Sequence, residues 1–187
     1  GSVSRIETDP ALKSANPLRS IVEQRTSFSL ATSPTGKCSV RGHDQGRVSA
    51  YCQTVDDVRQ YWQPIWEAHD LTGQVNHLTW SQDGTWIAGC DNQGNAVVWG
   101  AFSSTALQYR LLVHASPVVG MDWFSDELLV SAQQNGTLTL WSMRDGSVHK
   151  QFALGRNVSN ASFVPTDTGM AVLLLSQDRT AVSRVYI

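Results

Sequence analysis

Ala31 to Cys38, ATSPTGKC, sets a lysine at the end of a glycine-containing loop. That arrangement cradles nucleotide phosphates when a first-position glycine, a Gly-Lys-Ser/Thr ending and a following helix accompany it. Here Ala31 takes the place of the first glycine, Cys38 replaces the hydroxyl that would hold magnesium, and strand-forming residues follow. Gly36 therefore reads as the glycine of a turn between strands, and no nucleotide or other cofactor is expected. His43, His69, His77, His114 and His149 are scattered, with no H-E-x-x-H helix and no cysteine at metal spacing, so they read as core or turn residues and not as ligands. A G-x-S-x-G elbow is missing, and no convincing Ser/His/Asp or paired-carboxylate set can be assembled, so no catalytic residue and no enzymatic activity are expected.

Two further patterns invite chemistry. Asn135-Gly136-Thr137, Asn157-Val158-Ser159 and Asn160-Ala161-Ser162 satisfy the glycosylation sequon, but the first falls where a tight turn wants Asn-Gly for backbone reasons, and all three are read as unmodified. Cys38, Cys52 and Cys90 are odd in number and lack C-x-x-C spacing, which fits a reducing, intracellular compartment, cytoplasm or nucleus. Cys38 and Cys52 fall where the two strands of a hairpin would face each other, yet on this reading both stay thiols.

The remaining candidates concern partners. Tyr61-Trp62-Gln63-Pro64-Ile65-Trp66 concentrates aromatic side chains of the kind that anchor protein interfaces. Tyr61, Trp62 and Trp66 are thus candidates for partner contact; the competing reading is an outer strand whose alternate members pack inward. Arg41 and Arg47 flank a tight turn and offer either a spot for an acidic partner or ordinary solvated charge. A formal net charge of −2 argues against a broad grip on phosphate backbones, so direct nucleic-acid binding is not expected. The longest wholly apolar run, Met170 to Leu175, is far short of the roughly 20 residues a membrane helix needs. Gly1-Ser2 resembles the remnant of an expression tag, so the chain reads as part of a longer protein.

The elements that must position these residues are strands in a repeat. From Gln74 to Trp99 the sequence reads as strand, turn (Ser81 to Gly84), strand (Trp86 to Cys90), tight turn (Asn92 to Gly94) and strand (Ala96 to Trp99). The plan recurs with Trp123 lying 43 residues after Trp80, Gly136 lying 42 after Gly94, and Trp141 lying 42 after Trp99. A period of about 40 to 45 residues with strands throughout points to propeller blades. A weaker copy precedes, with Gly46 and Tyr51 each 48 residues before Gly94 and Trp99, and the excess falls in the connector from Gln53 to Leu71. A fourth copy follows: Val158 to Phe163, a turn at Val164 to Asp167, then Ala171 to Leu175, with Ile187 closing its third strand and nothing left for a fourth. The expected organisation is a tail or edge strand over 1–27 and all-β blades over about 28–68, 69–113, 114–153 and 154–187.

At these residues the chain resembles WD-repeat β-propellers over about Phe28 to Ile187. The family's phrases between first and second strands have counterparts in Thr32 to Gly36, Trp80 to Gly84 and Phe163 to Gly169, and its entry histidines in His69 and His114. In the third copy His114, Ser131, Asn135 and Trp141 stand where the family places a buried hydrogen-bonded chain, with asparagine for aspartate. The second copy, around His69 and Trp99, departs further: Gly89 replaces the serine and Gln93 the aspartate. The resemblance implies four-stranded blades, and only about four of them. It therefore implies end faces that want covering by further blades, by a partner or by self-association, with a closed four-blade ring using Leu18 to Glu23 as its last strand as a further option. It also implies a scaffold that binds proteins on the face carrying the turns after each second strand, where Asp44, Asn92 and Gln134 stand. A subunit that reaches chromatin or RNA through partners is the alternative.

Overall fold

The computed structural model describes residues 27–55, 60–102, 107–111, 116–167, 169–178 and 182–187. Four antiparallel sheets follow one another along the chain. The first has the order β1 (Ser27–Thr32), β2 (Cys38–His43), β3 (Val48–Val55), β4 (Gln60–Ala68). The second runs β5 (Val75–Trp80), β6 (Trp86–Asp91), β7 (Ala96–Gly100), β8 (Leu107–Leu111), and the third β9 (Val118–Ser125), β10 (Leu128–Gln133), β11 (Thr137–Ser142), β12 (Val148–Ala153). The last contains three strands, β13 (Val158–Thr166), β14 (Gly169–Ser176) and β15 (Val182–Tyr186).

The first strands of neighbouring sheets pack side by side, β1 on β5, β5 on β9 and β9 on β13. The sheets thus stack radially as an arc of propeller blades with β4, β8 and β12 on the rim. Second strands are buried on both faces: Ile87 to Asp91 in β6 and Leu129 to Gln133 in β10 carry no exposed residue. A strand sandwiched between two neighbouring sheets loses the in–out alternation of a half-exposed one, which is why these segments read as nearly continuous small and apolar runs. Polar contacts stitch blade to blade around this core. The Ser29 hydroxyl donates to the Val75 carbonyl at 3.0 Å, Thr79 Oγ1 to Asp122 Oδ1 at 2.8 Å, and the Val158 amide to the Gln134 carbonyl at 2.8 Å. Gly136, at φ +81°, turns the chain where any Cβ would run into the Arg156 carbonyl of the approaching fourth blade.

Two sequence expectations need correction. Val164 to Asp167 is not a turn: β13 continues through Thr166, with Val164 opposite Ala171 and Thr166 opposite Gly169. Pro165 is tolerated there because, among the described residues, β13 has β14 as its only sheet neighbour, so its missing N–H interrupts no ladder on the other side. Cys38 and Cys52 are not thiols; they sit opposite each other on β2 and β3 and form a disulfide with Cα atoms 4.0 Å apart. The argument from cysteine usage to a reducing compartment falls with it, and Cys90 remains as a buried thiol that burial holds well above its usual range. The phosphate-loop imitation is a hairpin turn between β1 and β2, with Cys38 held in that disulfide.

Residues 1–26, and with them the Leu18 to Glu23 strand option, lie outside the described residues. On the fourth blade, the face turned away from the third carries Val164, Val182 and Tyr186, at 39%, 67% and 63% exposure. Among the described residues no strand of the fourth blade packs extensively on the first. No helix of the described residues is long and apolar enough to cross a membrane.

Candidate partner-binding surface

Four turns join second to third strands and all emerge at one end of the blades: Asp44-Gln45-Gly46, Asn92-Gln93-Gly94, Gln134-Asn135-Gly136 and the turn containing Gln177-Asp178. The second is built on Asp91. Its side chain is fully buried, and both oxygens are occupied: Oδ2 accepts from the Thr72 and Gly73 amides at 3.1 and 2.9 Å and from Asn95 Nδ2 at 2.8 Å, while Oδ1 accepts from the Gln93 and Asn95 amides at 3.0 and 2.9 Å. One carboxylate thus fixes both the loop leading into the blade and the turn leaving its second strand. Burial alone would raise the Asp91 pKa, but the Asn95 side chain and the amides of Gly73, Thr72 and Asn95 outweigh it and hold the carboxyl below the usual range.

On that support Asn92 is exposed, its backbone paired with the Gln74 carbonyl at 3.0 Å and its Oδ1 accepting from the Gln74 amide at 3.1 Å. In the third blade Asn135 is exposed and Gln134 half-buried. The Asn135 amide donates to Ser116 Oγ at 3.2 Å, and Asn135 Oδ1 accepts from the Thr137 amide at 3.0 Å. In the first, Asp44 and Gln45 are exposed, and Gln45 sits in the left-handed region at φ 54°. Asp44, Asn92 and Gln134 therefore share one end of the arc.

The other sequence candidates separate. Arg47 is engaged with Glu67, Nη1 to Oε2 at 2.9 Å, and the same carboxylate receives Ser49 Oγ at 3.3 Å and lies 3.0 Å from His69 Nε2. Burial opposes ionisation of Glu67, but His69 and Arg47 together lower its pKa. Arg41 instead lies over the Tyr51 ring, 5.3 Å from its centroid. Arg47 is thus paired within the blade and Arg41 stacked on an aromatic ring.

The aromatic stretch is β4, the rim strand of the first blade. Tyr61 and Ile65 point outward at 41% and 37% exposure and Trp62 is half-buried, but Trp66 is in the core at 8%, its indole donating to the Ala101 carbonyl of the next blade at 2.8 Å. Trp66 is a blade-to-blade fastener, not a surface anchor.

The buried chain also departs from expectation. Trp141 Nε1 donates to Ser131 Oγ at 2.9 Å within the core, but Asn135 is held at the surface, and His114 lies outside the described residues. In the second blade His69 is exposed on Glu67, and Trp99 donates instead to Asp70 Oδ2 at 2.8 Å. Gly89 occupies the Ser131 position there, where a Cβ would lie 2.8 Å from both Leu78 Cδ2 and Trp99 Cζ3. The Trp99 ring has taken the space a serine would need, and the carboxylate next to the expected histidine receives the N–H. Asp70 and Asp91 escaped the sequence reading. The signal for Asp91 was available in its place at the end of a buried strand, directly before an Asn-Gln-Gly turn.

Among the described residues no cluster of histidine, cysteine and carboxylate side chains could hold a metal ion. Residues 62–100 match the WD domain, G-beta repeat family. The polyadenylation factor subunit 2 of Candida albicans is 25% identical over 95 residues, which cover 50% of this chain and 17% of that protein. Among solved structures, the C-terminal WD40 domain of Sif2 has a TM-score of 0.64 at 20% identity, covering 85% of this chain and 48% of its own. The structure of U3-55K gives 0.61 at 16%, covering 88% and 53%, and Saccharomyces cerevisiae Sqt1 gives 0.69 at 12%, covering 87% and 45%. At these identities the structures share the fold; the chain spans about half of each solved chain and a smaller part of the curated relative.

Proposed function

The chain belongs to the WD-repeat β-propellers, and on that premise we propose that it is a non-enzymatic scaffold, a propeller subunit that holds other proteins in a complex. Propellers of this kind are typically scaffolds without catalytic activity, and the proposal extends that character to this chain. The observation that carries it is the shared end of the blades: exposed Asp44 and Asn92 and half-buried Gln134 stand on turns whose backbone is fastened from beneath, by Asp91 in the second blade. Rigid turns on one face let side chains change partners without disturbing the core. The division into blades at about 28–68, 69–113, 114–153 and 154–187 is part of the same proposal. So is the covering of the fourth blade's apolar outer face by further blades, by a partner protein or by a second copy. The relative is itself a subunit by name, which supports membership of a complex in the nucleus or cytoplasm; a chromatin- or RNA-associated subunit that reaches nucleic acid through partners is the second reading, and the relative's polyadenylation name favours its RNA arm.

The triple variant Asp44→Arg, Asn92→Arg, Gln134→Arg tests the scaffold reading in the full-length protein. Loss of co-purifying proteins at an unchanged melting temperature is expected. Retention of every partner would refute the assignment of this face.

A further inference from the structure

The Cys38–Cys52 disulfide closes a rung of the first blade that the other blades close without a covalent bond. Cys38 lies opposite Cys52 between β2 and β3. The same rung, 48 residues further along both strands, pairs Trp86 with Gly100 between β6 and β7. Another 42 residues on, it pairs Leu128 with Ser142 between β10 and β11. Side chains that cannot cross-link hold the register there, so the blade plan does not require a disulfide at this place. Nor does the size of the chain, since 187 residues bury contiguous apolar clusters and covalent staples are a need of much smaller domains.

The two sulfurs are unequally placed. Cys38 is 6% exposed and belongs to the cluster that fills the joint between the first and second blades, together with Val40, Trp66 and Trp80. Cys52 is only half-buried, and its neighbour on the rim strand is the exposed Gln63. Thiol–disulfide exchange needs a thiolate to reach one sulfur, and Cys52 is the end that solvent approaches. Cys90 offers the contrast, a thiol wholly enclosed in the joint between the second and third blades.

The link also stands beside a fastening of the first joint. The Cys38 amide donates to Ser33 Oγ at 3.0 Å, the Ser33 amide to the Cys38 carbonyl at 2.8 Å, and the Gln53 amide to the Lys37 carbonyl at 2.7 Å. One strand over, Ala31 pairs with Val40, and its carbonyl receives the Trp80 indole N–H from the second blade at 3.3 Å. Opening the link frees the end of the β1–β2 hairpin on which that cross-joint bond depends.

We propose that Cys38–Cys52 is a reversible redox tie, which stiffens the joint between the first and second blades when closed and loosens it when a dithiol opens it. The inference rests on the nuclear or cytoplasmic placement proposed above, because disulfides are rare in reducing compartments and those found there are commonly transient or redox-sensing. A thiolate of the reductant attacks Cys52 Sγ and forms a mixed disulfide. The bond to Cys38 breaks, and its electron pair leaves on Cys38 Sγ, which takes up a proton. The second thiolate of the reductant then attacks the reductant's own sulfur in the mixed disulfide, and Cys52 departs as a thiolate and is protonated. The dithiol is oxidised to a disulfide and the protein gains two thiols. Closure is the reverse exchange with a disulfide oxidant.

The probe is dithiothreitol acting on the folded, full-length protein. Free Cys38 and Cys52 are counted after acid quenching and alkylation in denaturant, while alkylation of Cys90 under native conditions reports unfolding in parallel. Reduction at least about tenfold faster than exposure of Cys90 is expected. Amide hydrogen exchange over β1, β2 and β5 should accelerate at least about tenfold on reduction and stay unchanged over β10 and β11, and oxidised glutathione should restore both the link and the protection. The double variant Cys38→Ser, Cys52→Ser should show the open pattern without reductant and no response to it; if it does not fold, the wild-type measurements decide alone. The inference is overturned if the link opens only as fast as Cys90 becomes exposed, if exchange is the same in both states, or if oxidised glutathione does not close the link. Acid trapping of thiols in the cells that make the protein tests the placement separately. A chain always fully linked there lies outside a reducing compartment, which overturns the placement and the use of the tie as a switch; failure of native reduction overturns the inference and leaves the placement standing.

Discussion

Removing the Asp91 carboxylate should be among the most costly single changes available to the second blade. Six donors converge on it, the Thr72 hydroxyl at 3.5 Å being the most distant, and they are not equivalent: the Gly73 amide reaches it through a fully buried bond, whereas Gln93 and Asn95 stand at the surface end of the turn where water can replace the lost acceptor. Only one or two of them would then carry the full penalty of an unpaired buried donor, about 1–3 kcal/mol each, so Asp91→Ala should cost about 2–4 kcal/mol. For a chain of this size that is a fall in melting temperature of roughly 5–12 °C. Asp91→Asn keeps one oxygen but must turn its NH2 toward the donors at the other corner, most easily toward Gln93 and Asn95, and should fall between wild type and the alanine variant. The pH dependence follows from the depressed pKa of Asp91. Stability due to the ionised form is complete above the unfolded value of about 4 and is lost as pH falls through the lower folded value, so the gap between wild type and Asp91→Asn should close in acid. Thermal melts followed by circular dichroism at neutral pH and between about pH 2 and 5 measure both. An alanine variant that melts within about 2 °C of wild type, or an asparagine variant less stable than the alanine one, would refute the account.

Ser131→Ala should cost about 1–2 kcal/mol, since it removes the hydroxyl that accepts the buried Trp141 indole N–H, and Asp70→Ala a similar amount through Trp99; chemical denaturation of each variant decides. Gly89→Ser, which restores the residue found at the corresponding place in the third blade, should destabilise by about 1–3 kcal/mol, because its Cβ enters space held by Trp99 and Leu78; a neutral or stabilising result would show that the ring can retreat. Unfolded without reductant, the protein should expose one titratable thiol, Cys90, and three after reduction. Breaking the 14-residue Cys38–Cys52 link should lower stability by about 3 kcal/mol. Three thiols without reductant would remove the disulfide.

Much of the architecture was written in spacing. The repeated intervals between Trp80 and Trp123, and between Trp99 and Trp141, mark equivalent strands because a large ring needs the same socket between each pair of blades. The turn glycines repeat because a left-handed turn beside a neighbouring carbonyl admits no Cβ, as at Gly136. The side-chain pairings were less legible. Whether Trp99 finds a serine or an aspartate depends on where its ring lies, and the sequence could show only that Gly89 left the serine position vacant. Trp66 and Trp62 are alike in composition, yet one is buried across the blade junction and the other half-exposed on the rim, a distinction set by the phase of β4 and by the irregularity in its pairing between Ala50 and Tyr51. Arg47 meets Glu67, a residue 20 positions away whose proximity follows from strand pairing alone.

The variation among the tethers bears on how such a chain can serve as a scaffold. Trp66 uses a backbone carbonyl of the next blade, Trp99 an aspartate before its own blade, and Trp141 a serine on the adjacent strand. Each satisfies one buried indole N–H, and any partner that does so without a cavity is energetically sufficient. The fold thus constrains the positions of the rings far more tightly than the identity of the groups that pair with them. The same separation holds at the turns: Asp91 fixes backbone through donors from Thr72, Gly73, Gln93 and Asn95, while the side chains of Asn92 and Gln93 extend beyond it. The carboxylate that sets the frame and the exposed side chains carried on it are therefore distinct groups of one turn, so that changes to the exposed groups should disturb the frame far less than loss of the carboxylate.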